Sequence, residues 1–316
     1  MRVAIVGYGK LGKAVELSLC DRGDIELVGV FSRHAEATKQ APLYPQSALF
    51  DFKNIDCALL CLGSSSDMLE IAPKIALKFN TVDTFDNHTR INEYLKLMNE
   101  NANKTCHSAL VSSGWDPGFL SIIRSYCYSF LPKPYVHTVW GKGVSQGHSE
   151  VLRGIRGVRR GVAITLPKAS SVSALMQGRI TLAKEELHTR LCVIVADGCD
   201  REFITESVKG YPDYFAPYEC KILFVSDEEF ERDYACLASH QGQILASGVS
   251  GVYGENFTRF HATLECDSNP QLTAGILVSS ALATVRLNEK GRYGAFTPLD
   301  VPPSYYLYNR NYFDFI

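Results

Sequence analysis

Arg2-Val3-Ala4-Ile5-Val6-Gly7-Tyr8-Gly9-Lys10-Leu11-Gly12 decides the fold of this chain. The run Arg2–Val6 predicts a strand, and the helix-period segment Gly12–Leu19 follows the glycines directly. Strand, G-x-G-x-x-G and helix in register make a dinucleotide-binding turn. Gly7 makes the tight turn, Gly9 lets a pyrophosphate approach the backbone, and Gly12 lets helix and strand pack closely. The phosphate then sits on the free N–H groups of the helix start, so Tyr8, Lys10 and Leu11 belong to the same cradle.

Outward from this turn, strand-like runs at Glu26–Phe31, Cys57–Leu62, Thr81–Phe85 and Ala109–Ser112 alternate with helical segments at Met68–Lys78 and Ile91–Asn101. That is the pattern of βαβ units, and it predicts an α/β, Rossmann-type doubly wound parallel sheet over residues 1–118. The texture then changes. A helix at Phe119–Phe130 precedes Pro132 and Pro134, and strand-like runs follow at Tyr135–Trp140, Gly161–Leu166, Leu191–Ala196, Glu219–Val225 and Phe257–Glu265. Strands without regular intervening helices predict a second α+β domain with a mostly antiparallel sheet, residues 119–268, for substrate binding and dimerisation. Residues 269–316 supply an apolar helix, Leu272–Leu287, and an aromatic tail, expected to pack back on the first domain.

Composition excludes several classes. The chain has 316 residues, 46% hydrophobic and 21% charged, enough for a substantial core. Lys plus Arg number 32 against 34 Asp plus Glu, so no positive surplus exists for a nucleic acid partner. The 10 cysteines are scattered without C-x-x-C spacing, which reads as reduced thiols rather than disulfides or a metal site. Val3–Val6 is too short for a secretory signal, and Leu272–Leu287 is interrupted by Ser279, Ser280, Thr284 and Arg286. A cytoplasmic protein that neither crosses nor binds a membrane is expected.

At the end of the second strand, where NAD-binding chains place an acidic residue, the sequence reads Val30-Phe31-Ser32-Arg33-His34. Arg33 offers a planar fork to a 2′-phosphate, with Ser32 and His34 beside it, so NADP is expected rather than NAD. Cys61-Leu62-Gly63-Ser64-Ser65-Ser66-Asp67 is small and polar where the cofactor crosses the carboxyl edge of the sheet. The next two strand ends carry Asp83-Thr84-Phe85-Asp86-Asn87-His88 and Ser113-Gly114-Trp115-Asp116-Pro117-Gly118. Thr84, Phe85, Pro117 and Gly118 thereby join Asp86 and Asp116 along the cofactor. Two carboxylates and an indole at the nicotinamide end suit a cationic ammonium group. Asp86 and Asp116 fit helix N-caps equally well on pattern alone.

These motifs, with Trp140-Gly141-Lys142-Gly143-Val144-Ser145-Gln146-Gly147-His148-Ser149, Asp267-Ser268-Asn269-Pro270 and Gly294-Ala295-Phe296-Thr297, together resemble the meso-diaminopimelate dehydrogenase family over nearly the whole chain. The resemblance implies an NADP-dependent homodimer in lysine and diaminopimelate biosynthesis. It implies oxidative deamination of meso-2,6-diaminopimelate at its D-centre, giving ammonia and L-2-amino-6-oxopimelate, which cyclises to tetrahydrodipicolinate. By the same resemblance, Asp86 and Asp116 accept the D-centre ammonium, as binding groups or as a base, between walls formed by Trp115 and Trp140. Thr165, Arg190 and His240 match positions that hold a substrate carboxylate. Asn269 and the loop Ser145-Gln146-Gly147 match positions near the distal L-amino acid end. His34 stands where family members often carry a second arginine.

The substrate's mixed charges demand both signs, which Arg190 with Asp86 and Asp116 supplies. Read without the resemblance, Arg190 fits a surface arginine, His240 a loop histidine, and Thr165 a residue satisfying its own backbone. Arg153, Arg156, Arg159 and Arg160 read as a solvated or interface helix face with no catalytic role. Two other functions share the glycine loop and the two-domain plan: reduction of another small metabolite, and non-catalytic NADP sensing.

Overall fold

Alternation along β1 (Arg2–Val6) sends Val3 and Ile5 to one face of a sheet and Ala4 and Val6 to the other, all at 0% exposure. A strand so placed must be covered on both sides. The computed structural model describes residues 1–33, 37–64, 67–212 and 214–316, without the side chains of Cys199 and Tyr312. His34 and Ser65, expected at the cofactor, lie outside the described residues. After β1 come α1 (Lys10–Leu19), β2 (Glu26–Ser32), β3 (Leu43–Pro45), β4 (Cys57–Leu60), α2 (Asp67–Ala76), β5 (Asn80–Asp83), α3 (Ile91–Lys104), β6 (Ser108–Leu110) and α4 (Phe119–Phe130). The chain divides into one unit of Met1–Ser125 with Asn269–Ile316 and another of Tyr126–Ser268.

The second unit contains β7 (Tyr135–Trp140), β8 (Gly143–Val144), α5 (Gln146–Arg153), β9 (Val158–Pro167), α6 (Ala169–Gln177), α7 (Lys184–Leu187) and β10 (His188–Ala196). It continues through α8 (Arg201–Gly210), β11 (Glu219–Phe224), α9 (Asp227–Asp233), β12 (Gly242–Ser250) and β13 (Asn256–Leu264). Its sheets run β11-β10-β9-β8 and β13-β12-β7. The sequence-based expectation of strands without regular helices needs correction here. α8 is a crossover, and β10 and β11 pair in parallel, as a strand pair joined through a helix can. The other pairings in the two sheets are antiparallel. The expected arginine-bearing helix face is also corrected. Gly154 ends α5 and Gly157 has φ +89°, so Arg159 and Arg160 lie on β9, paired with Asp227 and Glu231.

The chain returns to the first unit with α10 (Asn269–Glu289) and β14 (Gly294–Phe296). β14 pairs with β6, completing a seven-stranded sheet of order β14-β6-β5-β4-β1-β2-β3 with every pairing parallel. On one face Val3, Ile5, Leu59 and Leu110 pack with Val15 of α1 and Ala274, Leu277 and Ala281 of α10. On the other, Ala4, Val6, Leu60 and Ala109 pack with Met68 and Ile75 of α2 and Tyr94 and Met98 of α3. The tail is fastened to α10, because Arg286 Nη1 donates to the carbonyls of Ser304, Tyr305 and Leu307. No described helix is long and apolar enough to cross a membrane.

Candidate active site

The strand order reverses between β1 and β4, and the glycine loop and the Cys61–Ser64 segment leave the sheet at that point. Gly7 adopts φ +94°, and a Cβ there would sit 2.5 Å from the Cys61 carbonyl oxygen. At Gly12 a Cβ would sit 2.2 Å from the Gly7 oxygen, so the turn closes only with glycine at both places. Gly9 faces open space and caps α1 without a side-chain hydrogen bond. The first amides of a helix have no intrahelical acceptor, so the groups present fit a pyrophosphate. Tyr8 is buried and donates to Glu16, whose other carboxylate oxygen accepts from the Lys39 and Gln40 amides at 2.9 and 2.8 Å. Lys10 and Leu11 form the first turn of α1.

Ser32 ends β2, and the Arg33 guanidinium beyond it pairs with Asp67 at the start of α2. Past β4, the Gly63 carbonyl accepts from Met68 N–H, and Ser64 Oγ accepts from Asp86 N–H at 3.3 Å. Cys61 and Leu62 lie between β4 and these contacts.

The ends of β5 and β6 hold the acidic candidates. Thr84 is half-buried, Phe85 is buried against Tyr94, and Asp86 is exposed. Asp86, Phe85, Pro117 and Gly118 line a cavity of about 180 Å³ with Thr297 and Leu299. Trp115 is buried, and Asp116 Oδ1 accepts from Arg124 Nη2 at 2.5 Å, one turn into α4. The Asp116-Pro117 peptide is cis. Capping is not the role of Asp86, because α3 begins at Ile91 behind Arg90. Asn269 opens α10, with its Oδ1 accepting from Thr273 Oγ1 at 3.0 Å.

In the second unit, β9 and β10 set Thr165 opposite Arg190. Arg190 is 3% exposed, far from the surface arginine that its sequence context equally allowed. Its Nη1 donates to Thr165 Oγ1, its guanidinium lies 4.5 Å above the Tyr218 ring, and its Nε has no hydrogen-bond partner among the described residues. Three histidines share this neighbourhood, and burial first, then the Arg190 charge, pushes His148 down to about 3 and His188 to about 4. Burial likewise pushes His240 down to about 4. His188 Nε2 accepts from Trp140 N–H at 2.8 Å, which places its proton on Nδ1 toward the Lys184 carbonyl. The Trp140 and His240 rings lie 5.1 Å apart. A buried cation among neutral imidazoles calls for an anion. Gln146 and Gly147 are exposed in the first turn of α5 behind Ser145, a helix start where a loop was expected.

The structure thus places Asp86 and Asp116 beyond the ends of β5 and β6 in the first unit, and brings Trp140, Thr165, Arg190 and His240 together in the second. It adds Glu16, Arg124, His188 and Tyr218, which carried no distinguishing pattern in the sequence, and Asp67 and Asp83, which stand in the strand-end segments but carried no assigned role. Among the described residues no group of three or more metal-binding side chains occurs.

Residues 114–268 match the family model described as the diaminopimelic acid dehydrogenase C-terminal domain. The meso-diaminopimelate D-dehydrogenase of Corynebacterium glutamicum is 39% identical over 305 residues, covering 96% of this chain and 94% of the relative. The solved structure of the C. glutamicum diaminopimelate dehydrogenase in complex with DAP superposes with a TM-score of 0.95 at 37% identity, covering 99% of this chain and 97% of that one. An engineered D-amino acid dehydrogenase bound to NADP+ superposes with a TM-score of 0.90 at 36% identity, covering 99% and 98%. The chain therefore belongs to the meso-diaminopimelate D-dehydrogenase family of nicotinamide-dependent oxidoreductases.

Proposed function

We propose that this chain catalyses the reversible NADP-dependent oxidative deamination of meso-2,6-diaminopimelate at its D-centre. Substrate, water and NADP+ give L-2-amino-6-oxopimelate, ammonium, NADPH and a proton. The observation that carries the reading is Arg190, a buried guanidinium whose Nε has no hydrogen-bond partner among the described residues, in a chain whose strand-end carboxylates supply the opposite sign. A dicarboxylate bearing two ammonium groups needs both.

The glycine cradle suits the pyrophosphate, and Arg33 with Ser32 suits a 2′-phosphate in place of a ribose diol. A nicotinamide, when bound, takes the hydride from the D-carbon. Asp86 and Asp116 accept the ammonium hydrogens, and Arg124 fixes the Asp116 carboxylate. Trp115 and Trp140 supply apolar contacts to the substrate. Arg190, Thr165 and His240 hold a carboxylate, while Gln146, Gly147 and Asn269 serve the distal L-amino acid end. The nine described cysteines are all free, which supports a reducing cytoplasm. Exposed Tyr126, Tyr128 and Phe130 on α4 support a homodimer, to be checked by sedimentation velocity.

Steady-state kinetics of Asp86→Ala and Asp116→Ala test the assignment. Each variant should lose about 10²-fold in kcat/KM for the substrate, the scale of one positioned acid-base or charged contact. The affinity for NADP+ should stay unchanged. A fall in kcat marks Asp116 as a base, whereas a rise in KM alone marks it as an ammonium anchor. Wild-type kcat/KM in both variants would remove the carboxylates from the site.

A further inference from the structure

We propose that Asp83 is a positioning residue that ties the turn carrying Asp86 to the turn leading to Trp115 and Asp116, and so sets where the two ammonium-binding carboxylates stand. The inference rests on the reading that Asp86 and Asp116 hold the D-centre ammonium.

Asp83 is the last residue of β5 and is fully buried. Its Oδ1 accepts from two amides on different strand ends, Phe85 N–H at 2.9 Å and Ser112 N–H at 3.0 Å. Its Oδ2 accepts from Tyr94 Oη at 2.8 Å, and its own carbonyl accepts from Ser113 N–H at 2.7 Å. Ser112 Oγ returns a bond to the Phe85 carbonyl at 2.7 Å. The β5–β6 ladder itself ends at Val82 and Leu110, so these contacts carry the alignment beyond the sheet. Asp86 directly follows Phe85, and Trp115 with Asp116 follow Ser113 closely.

Two features say that this arrangement does more than fill the core. Burial disfavours a carboxylate, and it pushes Asp83 up to about 6, although three donors point at the group. An apolar residue would fill the space without that penalty, but it would not align two amides from separate turns. Ser112 is also held at φ +59°, a left-handed conformation unfavourable for a residue with a Cβ, and such strain persists where the surroundings over-determine it. Tyr94 is fixed in turn, its ring stacked 4.1 Å from Phe85.

The test compares Asp83→Ala, Asp83→Asn and Ser112→Ala by four readouts: kcat and KM for meso-diaminopimelate, NADP+ affinity by fluorescence titration, thermal midpoint, and the primary isotope effect with substrate deuterated at the D-carbon. Asp83→Ala should lower kcat by roughly 100-fold, the scale of an ångström-sized misplacement. Its isotope effect should rise as hydride transfer becomes more rate-limiting, and NADP+ affinity should be unchanged. Asp83→Asn should restore most of the rate, because its amide oxygen still accepts from Phe85 and Ser112. Ser112→Ala should fall between them. A lower thermal midpoint with wild-type kcat and isotope effect in Asp83→Ala would reduce Asp83 to a stabilising residue and overturn the proposal. If that variant does not fold, wild-type kcat and isotope effect in Ser112→Ala overturn it instead. Failure of the ammonium assignment shows separately, as full activity in Asp86→Ala and Asp116→Ala with Asp83 intact.

Discussion

Burial governs the titration of the histidines around Arg190, and a consequence for stability follows from it. His148, His188 and His240 are held below their ordinary value by burial, with the Arg190 charge adding to the effect, and the ring of Tyr218 lies beneath the guanidinium. Between about pH 4 and 6.5 the unfolded chain therefore binds more protons than the folded one. Stability from these groups is complete above the unfolded pKa and falls as pH drops toward the folded values, by about 1.4 kcal/mol for each unit of difference. Urea unfolding at pH 7 and pH 5 should show this loss. His188→Gln should flatten the slope, and an unaltered slope would mean that His188 does not titrate differently in the two states. The pairings of such residues escape sequence reading because the partners are remote. Thr165 and Arg190 stand 25 positions apart, Arg33 and Asp67 stand 34 apart, and Glu16 lies inside a helix whose period marks only apolar positions. Gly7, Gly9 and Gly12 are legible because strand, turn and helix are contiguous. Asp86 and Asp116 are legible because strand ends are where open α/β sheets bind ligands.

At the scale of elements, α10 shows what local pattern does and does not convey. Its run of apolar and small residues announces a buried helix, and Thr273, Ala274, Leu277, Val278 and Ala281 are indeed buried. Leu277 is 0% exposed against the sheet and α1, so Leu277→Ala should cost about 2–5 kcal/mol in urea unfolding. A change below 1 kcal/mol would contradict that packing. β1, with its continuous apolar run, and β7, rich in β-branched and aromatic residues, have the bounds their sequences predict. β12 escapes because Gly242, Ser247, Gly248 and Ser250 dilute its alternation, and β3 and β14 because each has only 3 residues. The direction of β11 depends on the α8 crossover rather than on its own residues, which makes it the one parallel pair among the described pairings of sheets expected to be mostly antiparallel. Arg159 and Arg160 read as part of a helix face in the sequence, but paired carboxylates and a strand ladder hold them instead.

For the whole molecule, the C-terminal segment is as much a part of the first unit as the glycine loop, since α10 covers one sheet face and β14 adds the last strand. The fold class is thus legible from the N-terminal pattern, while the closing of the sheet by residues nearly 200 positions after β6 is not, because chain order alone does not identify a pairing partner. A net charge of −2 likewise does not reveal carboxylates at strand ends of one unit and a buried guanidinium in the other. The central claim joins these features to one substrate, and it is tested most directly by mixing the purified protein with NADP+ and meso-diaminopimelate. Absorbance is followed at the reduced-nicotinamide band, with the LL-isomer and NAD+ as parallel controls. Reduction with the meso isomer and NADP+, and little or none with either control, is the predicted result. No reduction with any isomer, from a protein that binds NADP+ tightly, would contradict the account.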